Sequence, residues 1–233
     1  MHRILLPILL TPTTGPNDWK ALLADPEKHW RQGYSAMSAA LSWEDAQNLA
    51  SGLPPEIAAV FGAGADLVYA IPEHKVALPG GGRASQCDVF ALIKADGQTI
   101  AVAVEAKVSE PFGPNVGDWL NDASKGKVER LTAICALLGC AYPPPPDLRY
   151  QLFHRTAAAV LEAARLKTAA AAMVVQSFSP EHRWFGDFTA FCHYLGHAAT
   201  RATAVVHTLP TGTPLTLAWV TGERCLAIPV HTP

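Results

Sequence analysis

The sequence contains no pair of cysteines in the spacing C-x-x-C, and its five cysteines form an odd-numbered set. This pattern argues against a zinc ribbon and against a disulfide framework, and it favours a reducing cytoplasm. The chain also has no run of about 18 apolar residues that could cross a bilayer. We therefore expect a soluble, cytoplasmic protein with no membrane partner.

Charge is sparse as well, since 16% of the 233 residues are charged against 49% that are hydrophobic, with a net charge of -2. This balance excludes a disordered chain and provides for one substantial core, so we expect a single domain over residues 1–233. One segment departs from the average, because residues 123–167 hold seven basic against three acidic side chains. The segment is either a surface that follows phosphates or an ordinary solvated face.

The apolar run after Arg3 is short and lacks a cleavage site, so it predicts a buried first strand rather than a signal peptide. Helical character is expected over 17–49, with Ser42 capping a new turn, and a second helix at Pro54–Pro55 that carries Glu56. The remaining pattern predicts strands at 67–78, 87–94, 99–108, 148–154 and 171–178, helices at 124–139, 156–167 and 182–195, and a meander at 202–208, 215–220 and 225–230. The expected fold class is α/β, with a mixed central sheet flanked by helices and extra C-terminal strands.

The two central strands are joined by Asp96-Gly97, a dipeptide typical of a tight hairpin turn in which both residues have positive φ. If Ala95 faces Gln98 across that turn, Asp88 faces Glu105. Because side chains alternate along a strand, Asp88, Glu105 and Lys107 then project from one face. The other face carries valine, isoleucine and alanine, which indicates core.

Two opposed carboxylates repel each other unless a positive charge lies between them. A hard divalent cation such as Mg²⁺ or Mn²⁺ prefers carboxylate and carbonyl oxygens, and it would leave Lys107 close to a reacting phosphate. Alternatively, Lys107 simply bridges the two acids. The residues alone leave both interpretations open.

Asp88, followed by Glu105-Ala106-Lys107 at the end of a hydrophobic strand, resembles the motif of the PD-(D/E)XK nuclease superfamily. The resemblance covers about residues 54–155 and is to a bacterial branch of that superfamily with the restriction-endonuclease-like fold. It implies that Asp88, Glu105 and the Ala106 carbonyl bind metal, that Lys107 is catalytic, and that Glu56 supplies a further carboxylate. Cys87 stands where many members have proline.

The resemblance and the local charge together suggest four residues that contact nucleic acid, namely Lys127, Arg130, Arg149 and Gln151. Arg149 and Gln151 lie on the predicted strand 148–154, which we expect beside the hairpin. The run Gly80 to Arg83 lacks the remainder of a phosphate-binding P-loop and predicts a mobile loop that closes over substrate. His193 and His197 have metal-ligand spacing but lack the adjacent glutamate of a zinc protease.

Two functions of different classes follow. The first is a Mg²⁺- or Mn²⁺-dependent nuclease that hydrolyses phosphodiester bonds, with DNA as the expected substrate. The second is a non-catalytic nucleic-acid-binding or regulatory module on the same scaffold, since a fold does not dictate its function. A homodimer or a protein partner stays open in either case.

Overall fold

The computed structural model of the protein describes residues 9–201 and 203–223. Its centre is a six-stranded sheet in the order β1-β2-β3-β4-β6-β5. Strands β1 to β3 form an antiparallel meander, β3, β4 and β6 run parallel, and β5 returns antiparallel to β6. The strands are β1 Asp66–Val76, β2 Ser85–Ala95, β3 Gln98–Lys107, β4 Ala170–Ser177, β5 Val205–Thr208 and β6 Pro214–Thr221.

Helices flank this sheet, as the expected mixed α/β class requires. A 3₁₀ helix at Pro16–Leu22 precedes seven α-helices. The α-helices are α1 Pro26–His29, α2 Ser35–Ala46, α3 Pro55–Phe61, α4 Val116–Leu120, α5 Lys125–Leu138, α6 Tyr150–Leu166 and α7 Phe185–Tyr194. The helix bounds at α3 and α5 confirm the predicted signals, because Pro54 precedes α3, Ser124 caps α5 and Gly139 ends α5 in the left-handed conformation.

The sheet separates two hydrophobic cores. The α6-side core joins Phe90 and Ala103 of the sheet to residues of α5, α6 and α7, including Leu131 and Phe153. The α2-side core joins the alternate strand residues, such as Val104, to α2 and α3. Because successive side chains of a strand point to opposite faces of the sheet, each side chain of a central strand lies in one of these two cores.

The β2–β3 hairpin has the predicted turn and register. Asp96 and Gly97 both have positive φ, at 49° and 77°. Val89 pairs with Val104 and Ala95 with Gln98, which is the register expected from the Asp-Gly turn.

The predicted strand at 148–154 is wrong, because Tyr150 begins the 17-residue helix α6. Its buried residues recur at helical spacing, as Leu152, Phe153, Ala157 and Val160 illustrate. A short window around Leu152 and Phe153 is compatible with the alternating pattern of a strand, whereas the apolar residues of the longer window recur with the period of a helix. The strand beside β3 is β4 instead.

Smaller differences occur at other helix ends. Ser42 lies inside α2, which continues to Ala46, so no new helix is capped there. Helix α7 ends at Tyr194, so His193 and His197 do not share a helix. His197 instead lies 3.1 Å from a ring nitrogen of His207.

The described part of the chain contains no helix that is both long and apolar enough to cross a membrane. The predicted strand at 225–230 and most of the predicted N-terminal strand lie outside the described residues. Within them, Leu9 forms an isolated parallel bridge with Ala70 at the edge of β1.

The Gly80 to Arg83 loop, expected to be mobile, is anchored to α5. The guanidinium of Arg130 donates to the carbonyls of Pro79, Gly81 and Arg83. Gly80 packs closely against the backbone of α5. A Cβ at Gly80 would overlap the Gly126 carbonyl oxygen and would lie 2.8 Å from the backbone nitrogen of Arg130. The loop is thus held by backbone contact and by one buried arginine.

We expect Gly80→Ala to destabilise the fold more than Gly81→Ala. Both glycines have positive φ, at 80° and 68°, so each alanine costs about 1–2 kcal/mol of backbone strain. Only the Gly80 variant also overlaps the backbone of α5, which adds about 1–3 kcal/mol. Urea denaturation of both variants measures the difference, and equal free energies of unfolding would show that the loop is not packed as described.

Candidate active site at the end of the central hairpin

The structure brings Asp88, Glu105 and Lys107 together on the α6 side of the sheet, where the β2–β3 ladder ends. The last backbone pair is Val89 with Val104, and just beyond it the Asp88 carboxylate accepts a 2.6 Å hydrogen bond from the Ala106 N–H. The Lys107 ammonium donates to Oε1 of Glu105. Asp88 is partly exposed, whereas Glu105 and Lys107 are only 1% and 4% exposed.

Arg155 of α6 completes this group, and the sequence interpretation missed it. Its Nε donates to Oε2 of Glu105, and its Nη1 donates to the Ser85 hydroxyl at 3.0 Å. Once 150–166 is recognised as one helix, Arg155 is a cation among apolar residues of a buried face, which is the signal that could have identified it. Both oxygens of Glu105 are thus engaged by cations.

The carboxyl groups of Asp88 and Glu105 have pKa values shifted in opposite directions. Burial alone would raise the pKa of Glu105, but Arg155 and Lys107 outweigh it and lower that pKa to about 2. Burial and then the Glu105 charge raise the pKa of Asp88 to about 7, against the opposing effect of Lys107 and Arg155. Near neutral pH, Glu105 is therefore ionised while Asp88 is poised to lose or hold its proton.

A third carboxyl group, that of Glu73 on β1, lies close to this pair. Burial and the Asp88 charge raise the pKa of Glu73 to about 8, and its Oε2 accepts a 2.6 Å hydrogen bond from Gln86. Three carboxyl groups therefore face two cations, Lys107 and Arg155. With all of them ionised, the group lacks one positive charge.

His154, next to Arg155 on α6, is held as a neutral ring. Its Nδ1 lies 2.8 Å from the Ser85 hydroxyl. Burial, followed by the Arg155 charge, lowers its pKa well below the usual value. His154 therefore adds a polar wall to the site and no positive charge near neutral pH.

Glu56, implied as a further metal ligand, is not brought to this group. Its Oε1 accepts a 2.6 Å hydrogen bond from Gln176, which also bonds Trp43 in the α2-side core. Glu105 reaches Arg155 on the other side of the sheet. Glu56 and Glu105 therefore lie on opposite faces.

The four residues expected to contact nucleic acid have other contacts in the structure. Arg130 anchors the glycine loop, Lys127 pairs with Asp122, and Arg149 pairs with Asp187 at 2.9 Å. Gln151 lies in the first turn of α6, with a buried Oε1 that has no hydrogen-bond partner among the described residues. None of the four forms a hydrogen bond or ion pair with Asp88, Glu105 or Lys107, and their contact with nucleic acid stays a prediction.

The fold and this group define a mixed α/β protein with a charged site near the carboxyl ends of its central strands. A family model described as "Domain of unknown function (DUF6946)" matches residues 12–224, and the chain belongs to this family. No curated protein and no solved structure matches the chain.

We expect Arg155→Met to destabilise the protein by about 3–5 kcal/mol, because it leaves the buried Glu105 with one cation and an unpaired oxygen. Arg183→Met is the control, since Arg183 pairs with Glu181 at the surface and exposed pairs contribute little. Thermal and urea unfolding measure both variants. Equal losses would mean that the Glu105–Arg155 pair is not the buried constraint.

We expect Asp88→Asn to become more stable relative to wild type as the pH rises from 5 to 8. The folded pKa of Asp88 is raised to about 7, so between its unfolded value near 4 and pH 7 the folded state holds more protons than the unfolded state. The stability contributed by that proton is present at low pH and lost as the pH rises through 7. Because Asp88 is partly exposed, the change is on the order of 1 kcal/mol. Parallel pH profiles of the two proteins would contradict the raised pKa.

Proposed function

We propose that the protein is a Mg²⁺- or Mn²⁺-dependent nuclease that hydrolyses phosphodiester bonds in nucleic acid, with DNA as its substrate. The observation that carries this proposal is the placement of Asp88, Glu105 and Lys107 on one face at the end of the β2–β3 hairpin. We also assign it to the cytoplasm, and a homodimer or a protein partner stays a prediction.

The order of elements supports the proposal. Helix α3, the meander β1–β2–β3, the helices α4 to α6 and the parallel strand β4 follow one another. The PD-(D/E)XK superfamily, which the motif resembles, likewise has a helix, three strands, a helix and a fourth strand in that order. The crossover helix and fourth strand are α6 and β4, later in the chain than the sequence suggested. With this change, a restriction-endonuclease-like fold remains our interpretation.

The donor set suits a hard cation in part. The Lys107 carbonyl accepts from Phe178 on the β4 side, so the Ala106 carbonyl points to the opposite side of β3, where the Ala106 N–H meets Asp88. Asp88, the Ala106 carbonyl and Glu105 would hold the ion, once Glu105 releases a cation. A bound Mg²⁺ or Mn²⁺ would favour the ionised form of Asp88 and polarise a water or phosphoryl oxygen.

Lys107 and Arg155 have distinct parts in this proposal. Lys107 lies at the end of β3 with its ammonium 5.1 Å from the centre of the Phe112 ring, a position fixed by packing. From there it would donate to the attacking water or to a phosphate oxygen. Arg155 keeps Glu105 ionised and oriented, as a positioning residue.

One observation favours the second candidate, a non-catalytic nucleic-acid-binding or regulatory module. Both oxygens of Glu105 are engaged by Lys107 and Arg155. In residues 9–201 and 203–223, no three His, Cys, Asp or Glu side chains are grouped to hold a metal ion. An ion-paired group of this kind would also serve as a structural element.

Cleavage assays separate the two candidates. Purified protein is incubated with single- and double-stranded DNA and RNA in Mg²⁺, Mn²⁺ or EDTA. We expect metal-dependent cleavage that falls by about 10²-fold or more in Asp88→Asn and in Lys107→Met. Glu129→Gln, an exposed change on α5, should cut as wild type does.

Metal titration by calorimetry adds a readout that does not need the substrate. We expect Mn²⁺ binding that is lost in Asp88→Asn and retained in Lys107→Met, because a lysine is not a metal ligand. Wild-type protein that binds nucleic acid but neither binds Mn²⁺ nor cuts would favour the non-catalytic module. Cleavage at the wild-type rate by Lys107→Met would show that the catalytic assignment is wrong.

A further inference from the structure

A second polar site lies on the other face of the sheet, beside the end of β6. It is an open cavity of about 540 Å³, which is within the size range of small-molecule sites. Its walls combine two charged, two hydroxyl and several apolar side chains. Those that matter here are Glu56, Arg201, Thr203, Thr221, Ala59 and Val60.

The Glu56 carboxylate is oriented by a buried hydrogen-bond chain. Gln176, fully buried on β4, donates from its amide nitrogen to Oε1 of Glu56 at 2.6 Å and to the Ser42 hydroxyl at 3.0 Å. The Gln176 oxygen accepts from the Trp43 indole at 3.1 Å. Both polar atoms of this amide are therefore used, and the chain ends on a carboxylate at the cavity wall.

Such a chain is costly to bury and is stabilising only when it is fully satisfied. An apolar residue at position 176 would fill the α2-side core without this cost. Instead, a buried glutamine, which bonds a tryptophan N–H and a serine hydroxyl, holds one carboxylate in a fixed orientation. This is the arrangement of a preorganised binding group.

The opposite charge on the same cavity is Arg201. Arg201 also lines a neighbouring cavity of about 610 Å³, where its guanidinium lies 5.9 Å from the centre of the Phe185 ring. Within the described residues, neither Glu56 nor Arg201 has an ion-pair partner. Two unpaired and opposite charges thus line one cavity without neutralising each other.

We propose that this cavity binds a small zwitterion, with a cationic nitrogen on Glu56 and an anionic group on Arg201. Thr203 and Thr221 line the cavity with hydroxyl groups that bond Thr200 and His182 in the structure. Ala59 and Val60 contact the apolar part between the charges. A ligand of only one charge would leave the second wall residue unpaired. The site is separate from the Asp88 group and does not depend on the proposed nuclease activity.

Isothermal titration calorimetry on the full chain tests this with defined probes. The probes are the linear ω-amino acids from glycine to 6-aminohexanoate, with hexylamine and hexanoate as singly charged analogues. We expect at least one ω-amino acid to bind at least tenfold more tightly than both analogues. Glu56→Gln and Arg201→Gln should each weaken that binding by tenfold or more, because each removes one charge.

Glu129→Gln and Arg31→Gln are matched controls at exposed positions away from the cavity, and both should bind as wild type does. Circular dichroism checks that each variant is folded, and Arg201→Gln changes an exposed side chain. The proposal is overturned if no ω-amino acid binds more tightly than the analogues, or if either cavity variant retains wild-type affinity.

Discussion

The buried carboxylate of Glu105 is the constraint on which the centre of this molecule depends. An ionised carboxylate removed from water costs several kcal/mol unless cations and hydrogen bonds replace the lost hydration. Lys107 supplies one cation from β3 itself, and Arg155 supplies the other from α6. Helix α6 must therefore cross β3 at one defined height, and the α6-side core packs around that crossing. The same burial, together with the Glu105 charge, raises the pKa of Asp88 against the opposing effect of both cations, so fold and site chemistry have a common origin.

The parts of the site that the sequence predicted are those fixed by local rules. Asp96-Gly97 determines the turn, the turn determines the register, and the alternation of side chains then places Asp88, Glu105 and Lys107 on one face. Arg155 was missed because its approach to Glu105 is a tertiary contact across 50 residues. The error at 148–154 had the same effect, since a strand there would have pointed Arg149 and Gln151 toward the site and left α6 without its first turn.

The positive charge of a residue was not enough to predict what that residue contacts in the fold. Arg130 and Lys127 belong to the basic segment, yet one anchors the glycine loop and the other pairs with Asp122. An arginine with five donors can serve a phosphate or three carbonyls equally well, and only the path of the loop decides between them. Glu56 shows the same limit, because its position on α3 was predicted while the face of the sheet that it meets was not.

Parallel strands end at the same edge of a sheet, and in open α/β sheets this edge is where ligands bind. Here β3, β4 and β6 all end there, and Ala106 of β3 lies in register with Gln176 of β4. Because side chains alternate, Glu105 faces α6 while Gln176 faces α2. One edge therefore presents two polar groups to two different layers, with a backbone layer between them. The sheet keeps the carboxylate of Glu56 apart from those of Glu73, Asp88 and Glu105, so the charges on the two faces do not repel each other strongly. A single cluster of all four carboxylates would need further cations to stay ionised.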